Sequence, residues 1–304
     1  MAPDDSPPAA DLDVVIVSYE SSHLIGACLD SIEGARGGLD LTVTVADNAS
    51  TDGTVALVRG RGDRTRVVEM GRNAGFATAN NRAIAAGAAR HVLVLNPDTV
   101  VTTGALETLV AFADAHPAAG VVAPRLLNTD GSPQLTARAF PTPAAAVFGR
   151  RSPVTRWFPH NRWSSRFLVE RDHLSAEPFT VDWVSGAAML VPRSVIESVG
   201  AFDEDFFLFW EDADWCRRIS RAGHEVWCVP EAVVVHDEGG TRAHGWTPRT
   251  IRHFHTGAYR YWAKHHAPQP WNPLRVGAAG LLGARAAALT VTTSIHSQLE
   301  RTGR

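Results

Sequence analysis

The sequence predicts an α/β fold, with a mostly parallel sheet of doubly wound type flanked by helices, and three observations lead there. Short valine-rich runs recur at Leu12 to Ser18 (LDVVIVS), Leu41 to Ala46 (LTVTVA), Arg66 to Glu69 and His91 to Leu95 (HVLVL). Turn residues and then apolar residues at helical spacing follow them, so strand alternates with helix through the first half of the chain. With 304 residues, 45% of them hydrophobic, the chain can bury one large core or two modest ones.

The elements follow in order. The acidic, Pro/Ala-rich stretch MAPDDSPPAAD is expected to be a disordered tail; without a charged n-region ahead of an apolar h-region, no signal peptide is expected. Leu12 to Ser18 runs into a polar SYESS turn, and Leu24, Cys28 and Ile32 then fall on one helical face. The second strand ends in Asp47-Asn48-Ala49-Ser50-Thr51-Asp52-Gly53, a cluster of turn and capping residues ahead of another helix. After the third strand, GRNAGF turns into an Ala-rich helix from about Thr78 to Ala89. HVLVL stops abruptly at Asn96-Pro97-Asp98, a helix runs from about Gly104, and Gly120 to Ala123 begins a further strand. From Pro124 to Pro178 the alternation lapses, and Phe148 to Arg171 mixes arginines with aromatics: a solvated helical face, or a surface for anionic lipid headgroups or a lipid diphosphate. Strand character returns over Val181 to Pro192, a helix begins near Ala213, and Val233 to Gly240 gives a last strand. Residues 249 to 275 again combine Arg249, Arg252, Arg260, Lys264 and Arg275 with Tyr259, Tyr261, Trp262 and Trp271, an ordinary surface helix or a membrane-interface one. Val276 to Ile295 is apolar but interrupted by Arg285 and followed by threonines, so it predicts a helix packed on the body or lying on a membrane, not a span.

Composition narrows the function. A formal charge of -3 supplies no overall drive toward nucleic acid. Cys28, Cys216 and Cys228 have no metal or redox spacing and read as core residues of a cytosolic protein. Neither a GxGxxG fingerprint nor a P-loop follows the first strand, so any nucleotide is held another way.

In open α/β sheets, ligands collect at the carboxyl ends of the strands. There the chain places Asp98, a cap for the following helix or a ligand for a hard cation carrying phosphates, and Asp47, a turn former or an acceptor for a ribose or base edge. Glu211 and Asp212 sit in the aromatic stretch FFLFWEDADW at a helix start; they are capping charge, or carboxylates whose pKa is raised by desolvation. His236 ends a strand, where a histidine is either structural or a metal ligand.

The runs VVIVSYES, ADNASTDGT, GRNAGFATANN, VLVLNPDT, VSGAAMLVPR, GAFDEDFFLFWEDADWCRR and VVVHDEGG, in that order, resemble the family 2 glycosyltransferases of GT-A fold. They are most similar to the bacterial rhamnosyltransferase branch, which includes mycobacterial dTDP-rhamnose transferases acting on a polyprenyl-diphosphate-linked amino sugar. The likeness covers about Leu12 to Thr241 and implies a GT-A, Rossmann-like sheet with a helical C-terminal extension. It implies Asp212 as general base with Glu211 beside the acceptor, and donor contacts from Ser18, Glu20, Asp47, Asn73, Gly75, Asn80, Asn96 and Asp98. Acceptor contacts fall to Trp183, Gly186, Trp210 and Glu211, and Asp98 and His236 hold Mg²⁺ or Mn²⁺. Asp214 and Arg218 support the site by ion pairing, while Asp237 and Glu238 are weaker candidates for the metal. The family's three-residue motif carries a carboxylate at each end, whereas Asn96 stands at its first position here; that gives His236 and the donor phosphates more weight as ligands.

The implied reaction is transfer with inversion of a sugar, best L-rhamnose from dTDP-rhamnose, to a hydroxyl of a saccharide acceptor on a polyprenyl diphosphate. The alternatives are galactofuranosyl or other hexosyl transfer from a UDP-sugar, and a non-catalytic glycan or lipid-diphosphate binding module. A sugar nucleotidyltransferase would want a Gly-rich pyrophosphate loop, which Val14 to Ser22 lacks. The expected divisions are the tail at 1–11, a nucleotide-sugar half at 12–125, an acceptor and catalytic half at 126–245 and a helical extension at 246–304. The expected location is the cytoplasm, peripheral on the inner face of the plasma membrane, with homo-oligomerisation left open.

Overall fold

A computed structural model describes residues 10–62, 64–134, 137–141, 175–237 and 246–302, with side chains to residue 294. The basic and aromatic segment from Phe148 to Arg171 and Glu238 lie outside the described residues.

The strands are β1 (Leu12–Ser18), β2 (Leu41–Asp47), β3 (Thr65–Glu69), β4 (His91–Leu95), β5 (Thr99–Val101), β6 (Ala119–Leu127), β7 (Phe179–Val181), β8 (Ala188–Pro192) and β9 (Glu225–His236). They form one sheet in the order β3-β2-β1-β4-β8-β6-β9-β5, with β7 also on β9. Parallel pairing holds across β3, β2, β1 and β4. The other half is mixed: β8 runs antiparallel between β4 and β6, β9 is parallel to β6, and β5 and β7 are antiparallel to β9.

β1 is buried along its length because both faces of the sheet are covered, which is why its sequence is a continuous apolar run. Side chains alternate across a strand, so Leu12, Val14 and Ile16 join one core cluster and Val15 and Val17 the other. Helices α1 (Ile25–Gly34) and α4 (Ala105–Ala115) fill the first cluster; α3 (Phe76–Ile84), α5 (Arg193–Val199) and α6 (Glu211–Arg221) fill the second. The short α2 (Thr54–Arg59) lies beside β3. The three cysteines are buried in this core and free, and burial pushes each thiol up to about 12, so they are inert.

Several elements differ from the sequence reading: the last strand, expected from Val233, begins at Glu225, and β5 and α5 are absent from that reading. α3 begins at Phe76 and stops at Ile84, short of Ala89, because Asp13 takes the Ala89 N–H (2.9 Å) together with Thr42 Oγ1 (2.7 Å) and the Arg193 guanidinium (2.7 Å). The run from Val181 to Pro192 is two strands parted by a loop, since Trp183 exchanges both backbone hydrogen bonds with Arg138 (3.0 and 3.1 Å) and leaves the sheet.

The chain ends in two helices, α7 (Pro248–His266) and α8 (Leu274–Thr302). Thr247 caps α7, accepting from the Thr250 N–H with Pro248 at the first position. Of the basic and aromatic residues expected at an interface, Tyr261 is buried and Lys264 pairs with Asp203 and Asp214, so these two serve packing. α8 packs along α7, yet none of its Leu274–Ser294 stretch is buried, and that stretch is long and apolar enough to cross a membrane.

Candidate active site

The directions of the strands bring the carboxyl ends of β1, β2, β4, β6 and β9 and the start of β8 to one edge of the sheet. Residues far apart in sequence meet there. Glu20, Ala49, Phe209 and Trp210 are the non-glycine residues with positive φ among the described residues, at 51°, 64°, 70° and 77°, and all lie in loops of this edge. Each such conformation costs on the order of 1–3 kcal/mol, and such strain collects at functional sites.

β1 and β2 end in a bonded pair of loops. Ser18 Oγ donates to Asp47 Oδ1 (2.9 Å), and Ser50 supplies its hydroxyl (2.6 Å) and its N–H (2.8 Å) to the same carboxylate. Asp47 is thus buried and holds three donors, one short of the roughly four a carboxylate can accept. Glu20 Oε1 accepts from the Thr51 N–H (2.9 Å) and hydroxyl (3.1 Å), tying the two loops together. Asp52 binds Thr54 and the Ser22 N–H; burial pushes its carboxyl up, but these hydrogen bonds prevail and hold it at about 2.

The GRNAGF turn is fixed by Asn48, which accepts from the Ala74 N–H (3.0 Å) and donates to the Gly75 carbonyl (3.3 Å). Asn73 Oδ1 accepts from the Gly75 N–H at 3.2 Å. Gly75 has φ +91°, and a Cβ there would lie 2.5 Å from the Phe207 carbonyl oxygen, so its close approach is to the loop before α6. Asn80 is fully buried on α3 with its amide on the Phe76 carbonyl (3.0 Å).

At the end of β4, Asn96 takes the Ala187 carbonyl with its N–H (2.9 Å). Asp98 is buried, and β5 beyond it pairs Thr99 with His236. This register sets Asp98 Oδ1 3.3 Å from His236 Nε2, with Asn96 Nδ2 at 3.4 Å from the same nitrogen. The structure therefore joins the two residues singled out for a cation. A carboxylate and an imidazole nitrogen are a suitable donor pair for Mg²⁺ or Mn²⁺. Among the described residues no third His, Cys, Asp or Glu joins them.

Asp212 is reached through β8. Leu95 pairs with Ala188, and just before β8 the Gly186 N–H donates to Asp212 Oδ2 (3.1 Å) while the Ala213 N–H donates to Oδ1 (2.8 Å). The Gly186-Ala187 dipeptide consequently links Asp212 directly to the Asn96 turn. A Cβ on Gly186 would stand at 3.5 Å from Asp212 Cβ and from the Phe76 ring, an ordinary contact, so Gly186 acts through its N–H and not through missing bulk. Burial pushes the Asp212 carboxyl up; the two N–H groups and the Arg138 charge pull it part of the way back.

Glu211, by contrast, is buried, and its Oε2 has no hydrogen-bond partner among the described residues. Burial first, then the Asp212 charge, drives its carboxyl well above the usual range. Of the two carboxylates only Asp212 is partly exposed, so the expected contact of Glu211 with an acceptor is not made by a surface group. Trp210 packs against Phe254 and Tyr261, with ring centroids 5.5 Å away in each case, and joins the small cluster under α7. Trp183 is half-buried, donates Nε1–H to the Ala139 carbonyl (3.0 Å) and carries the Arg138 guanidinium 5.1 Å over its ring.

Asp214 makes the expected pair with Arg218 (2.9 Å) and also binds Lys264 and His265 Nε2 (2.7 Å), docking α7 onto α6. Burial raises its carboxyl, but His265, Lys264 and Arg218 outweigh that and hold it at about 2. Asp237 gives its N–H to the Asp98 carbonyl (2.9 Å). The sequence reading missed Gln134, Arg138 and Ser50. Ser50 stood in a run already singled out, whereas no local pattern marks the other two.

The family model described as "Glycosyl transferase family 2" matches residues 13–191. The chain is 32% identical over 301 residues, 95% of its length and 96% of the relative's, to a Mycobacterium tuberculosis protein named N-acetylglucosaminyl-diphospho-decaprenol L-rhamnosyltransferase. Among solved structures it resembles the mannosyltransferase PcManGT from Pyrobaculum calidifontis in complex with GDP-Man and Mn²⁺, with TM-score 0.56, 20% identity and 97% and 83% of the two chains covered. GalNAc-T7 with UDP, GalNAc and Mn²⁺ superposes with TM-score 0.56 at 13% identity, covering 91% of this chain and 55% of the other.

Proposed function

The chain belongs to glycosyl transferase family 2 and is a glycosyltransferase of GT-A fold, and from this we propose that it moves L-rhamnose from dTDP-rhamnose to a hydroxyl of a polyprenyl-diphosphate-linked saccharide, with inversion. The observation that carries the reading is the bridge of Gly186 and Ala187, which puts the partly exposed Asp212 beside the Asp98–His236 turn. A base for the acceptor hydroxyl and a holder for the donor diphosphate are needed in just such proximity.

In this reading Asp212 accepts the acceptor proton. Its two backbone donors hold the carboxylate oriented, and burial raises its basicity toward that task. A single carboxylate base favours direct displacement through an oxocarbenium-like transition state. Asp98 and His236 would hold Mg²⁺ or Mn²⁺, which when bound offsets the charge of the diphosphate. The loops of Ser18, Glu20, Asp47 and Asn73 line the nucleoside side, and Trp183 and Trp210 flank the acceptor side. Support for the sugar and the lipid carrier comes from the mycobacterial relative, matched over nearly its whole length.

α8 is proposed to meet the inner face of the plasma membrane. It exposes Leu274, Val276, Leu281 and Val291, with Trp271 just ahead at 81% exposure, and basic residues line α7 beside it. Leu281→Glu should reduce co-sedimentation with anionic phospholipid vesicles; unchanged binding would remove α8 from the contact.

The deciding experiment supplies dTDP-rhamnose, UDP-galactofuranose and UDP-hexoses with Mn²⁺ and a lipid-diphosphate-linked saccharide, and follows nucleoside diphosphate release and labelled product. Rhamnose transfer is the expected result. Turnover of a UDP-sugar alone would replace the donor, and binding without turnover of any sugar would reduce the protein to a glycan or lipid-diphosphate binding module.

A further inference from the structure

β6 ends at Leu127, and the chain turns back on it: the Asn128 N–H donates to the Ser132 carbonyl (2.8 Å), Leu127 bridges Pro133, and the Gln134 N–H returns to the Leu126 carbonyl (2.8 Å). Gln134 is thereby placed beside β9. Its Nε2 donates to two acceptors, the His236 backbone carbonyl (2.7 Å) and Asn128 Oδ1 (2.8 Å). A backbone carbonyl only accepts, so the orientation of the amide is settled and Oε1 must face His236 Nδ1, 2.9 Å away. Oε1 in turn only accepts, which places a proton on Nδ1. A neutral imidazole has one ring proton, so Nε2, the nitrogen directed at Asp98 and Asn96, presents its lone pair.

Without this amide the ring would be drawn the other way. Asp98 Oδ1 lies 3.3 Å from Nε2, and an Nε2–H facing a carboxylate is the arrangement that excludes a metal from that nitrogen. We infer that Gln134 is a positioning residue that fixes the His236 tautomer, keeping Nε2 bare as a ligand for a divalent cation carrying the donor diphosphate. The inference rests on Asp98 and His236 being the cation ligands. Partners of this kind, which bind the far nitrogen of a ligating histidine, typically change metal affinity by about 10–100-fold.

The test combines ring-nitrogen NMR of ¹⁵N-histidine-labelled protein with Mn²⁺ titration by electron paramagnetic resonance, in the presence of dTDP and, in a parallel arm, UDP. In the unaltered protein the His236 signals, assigned by their loss in His236→Ala, should show a protonated Nδ1 and a bare Nε2; a bare Nδ1 overturns the inference without recourse to any further variant. Gln134→Leu should move the proton to Nε2 and weaken Mn²⁺ binding by roughly 10–100-fold, with metal-free dTDP binding unchanged. Wild-type Mn²⁺ affinity in Gln134→Leu, alongside loss of binding in His236→Ala, refutes the role of Gln134 and leaves the cation site standing. Wild-type affinity in His236→Ala refutes the cation site itself.

Discussion

Replacement of Asp212 by asparagine changes one atom and should separate activity from stability. The side chain keeps its shape, but the general base is gone, and such bases contribute about 10²–10⁴ in rate, or roughly 3–5 kcal/mol of barrier. The new carboxamide can accept from only one of the Gly186 and Ala213 N–H groups and turns its own NH₂ toward the other, a mismatch of about 1–3 kcal/mol. The pH dependence runs in the opposite sense. Burial raises the folded-state pKa of Asp212 above its ordinary 3.8, so only well below 3.8 is the acid protonated both folded and unfolded, where its ionisation contributes nothing to the balance. As pH climbs past the folded value, wild type must bury a charge beside Glu211 that the variant lacks. Urea unfolding followed by tryptophan fluorescence should show the variant's deficit largest near pH 4 and shrinking toward pH 8, while diphosphate release falls by two to four orders of magnitude. Wild-type turnover in Asp212→Asn would remove the base from the reaction, and a stability deficit that widens with pH would refute the burial argument.

Arg138→Ala removes the positive charge that draws the Asp212 carboxyl down, so the acid limb of kcat/KM should move to higher pH, more so at low salt; an unmoved profile refutes the coupling. Asp214→Asn loses a carboxyl held at about 2 against an ordinary 3.8, worth about 2 kcal/mol. That stabilisation is present above pH 4 and disappears as pH falls through 2, so the denaturation gap to wild type should be full at pH 7 and narrow below pH 4. Gly75→Ala forces a Cβ against the Phe207 carbonyl at a positive φ and should lower stability by at least about 1–3 kcal/mol; an unchanged urea midpoint would show that the two loops are free to part. Asp13→Ala leaves Arg193 partly buried without its carboxylate and should cost about 3 kcal/mol or more by the same assay.

The amino-acid order by itself determined the strand and helix alternation of the first half, because continuous apolar runs ending in Asp, Asn and Gly encode buried parallel strands with polar carboxyl-end loops. It also marked Asp98, Asp212 and His236, since each stands where an apolar or aromatic run gives way to polar residues. It could not assign direction to a strand: β8 and β6 look like any other apolar run, and their pairing follows from neighbours supplied by distant segments. Nor could it separate Glu211 from Asp212. Adjacent residues at a helix start point to different surroundings, and only packing buried the first and left the second partly exposed. Gln134 lies 102 positions from His236 and carries no motif, so its hold on the imidazole exists only once β6 and β9 are side by side. Local patterning is written in the chain, whereas proton position and burial are properties of atoms brought together by the sheet.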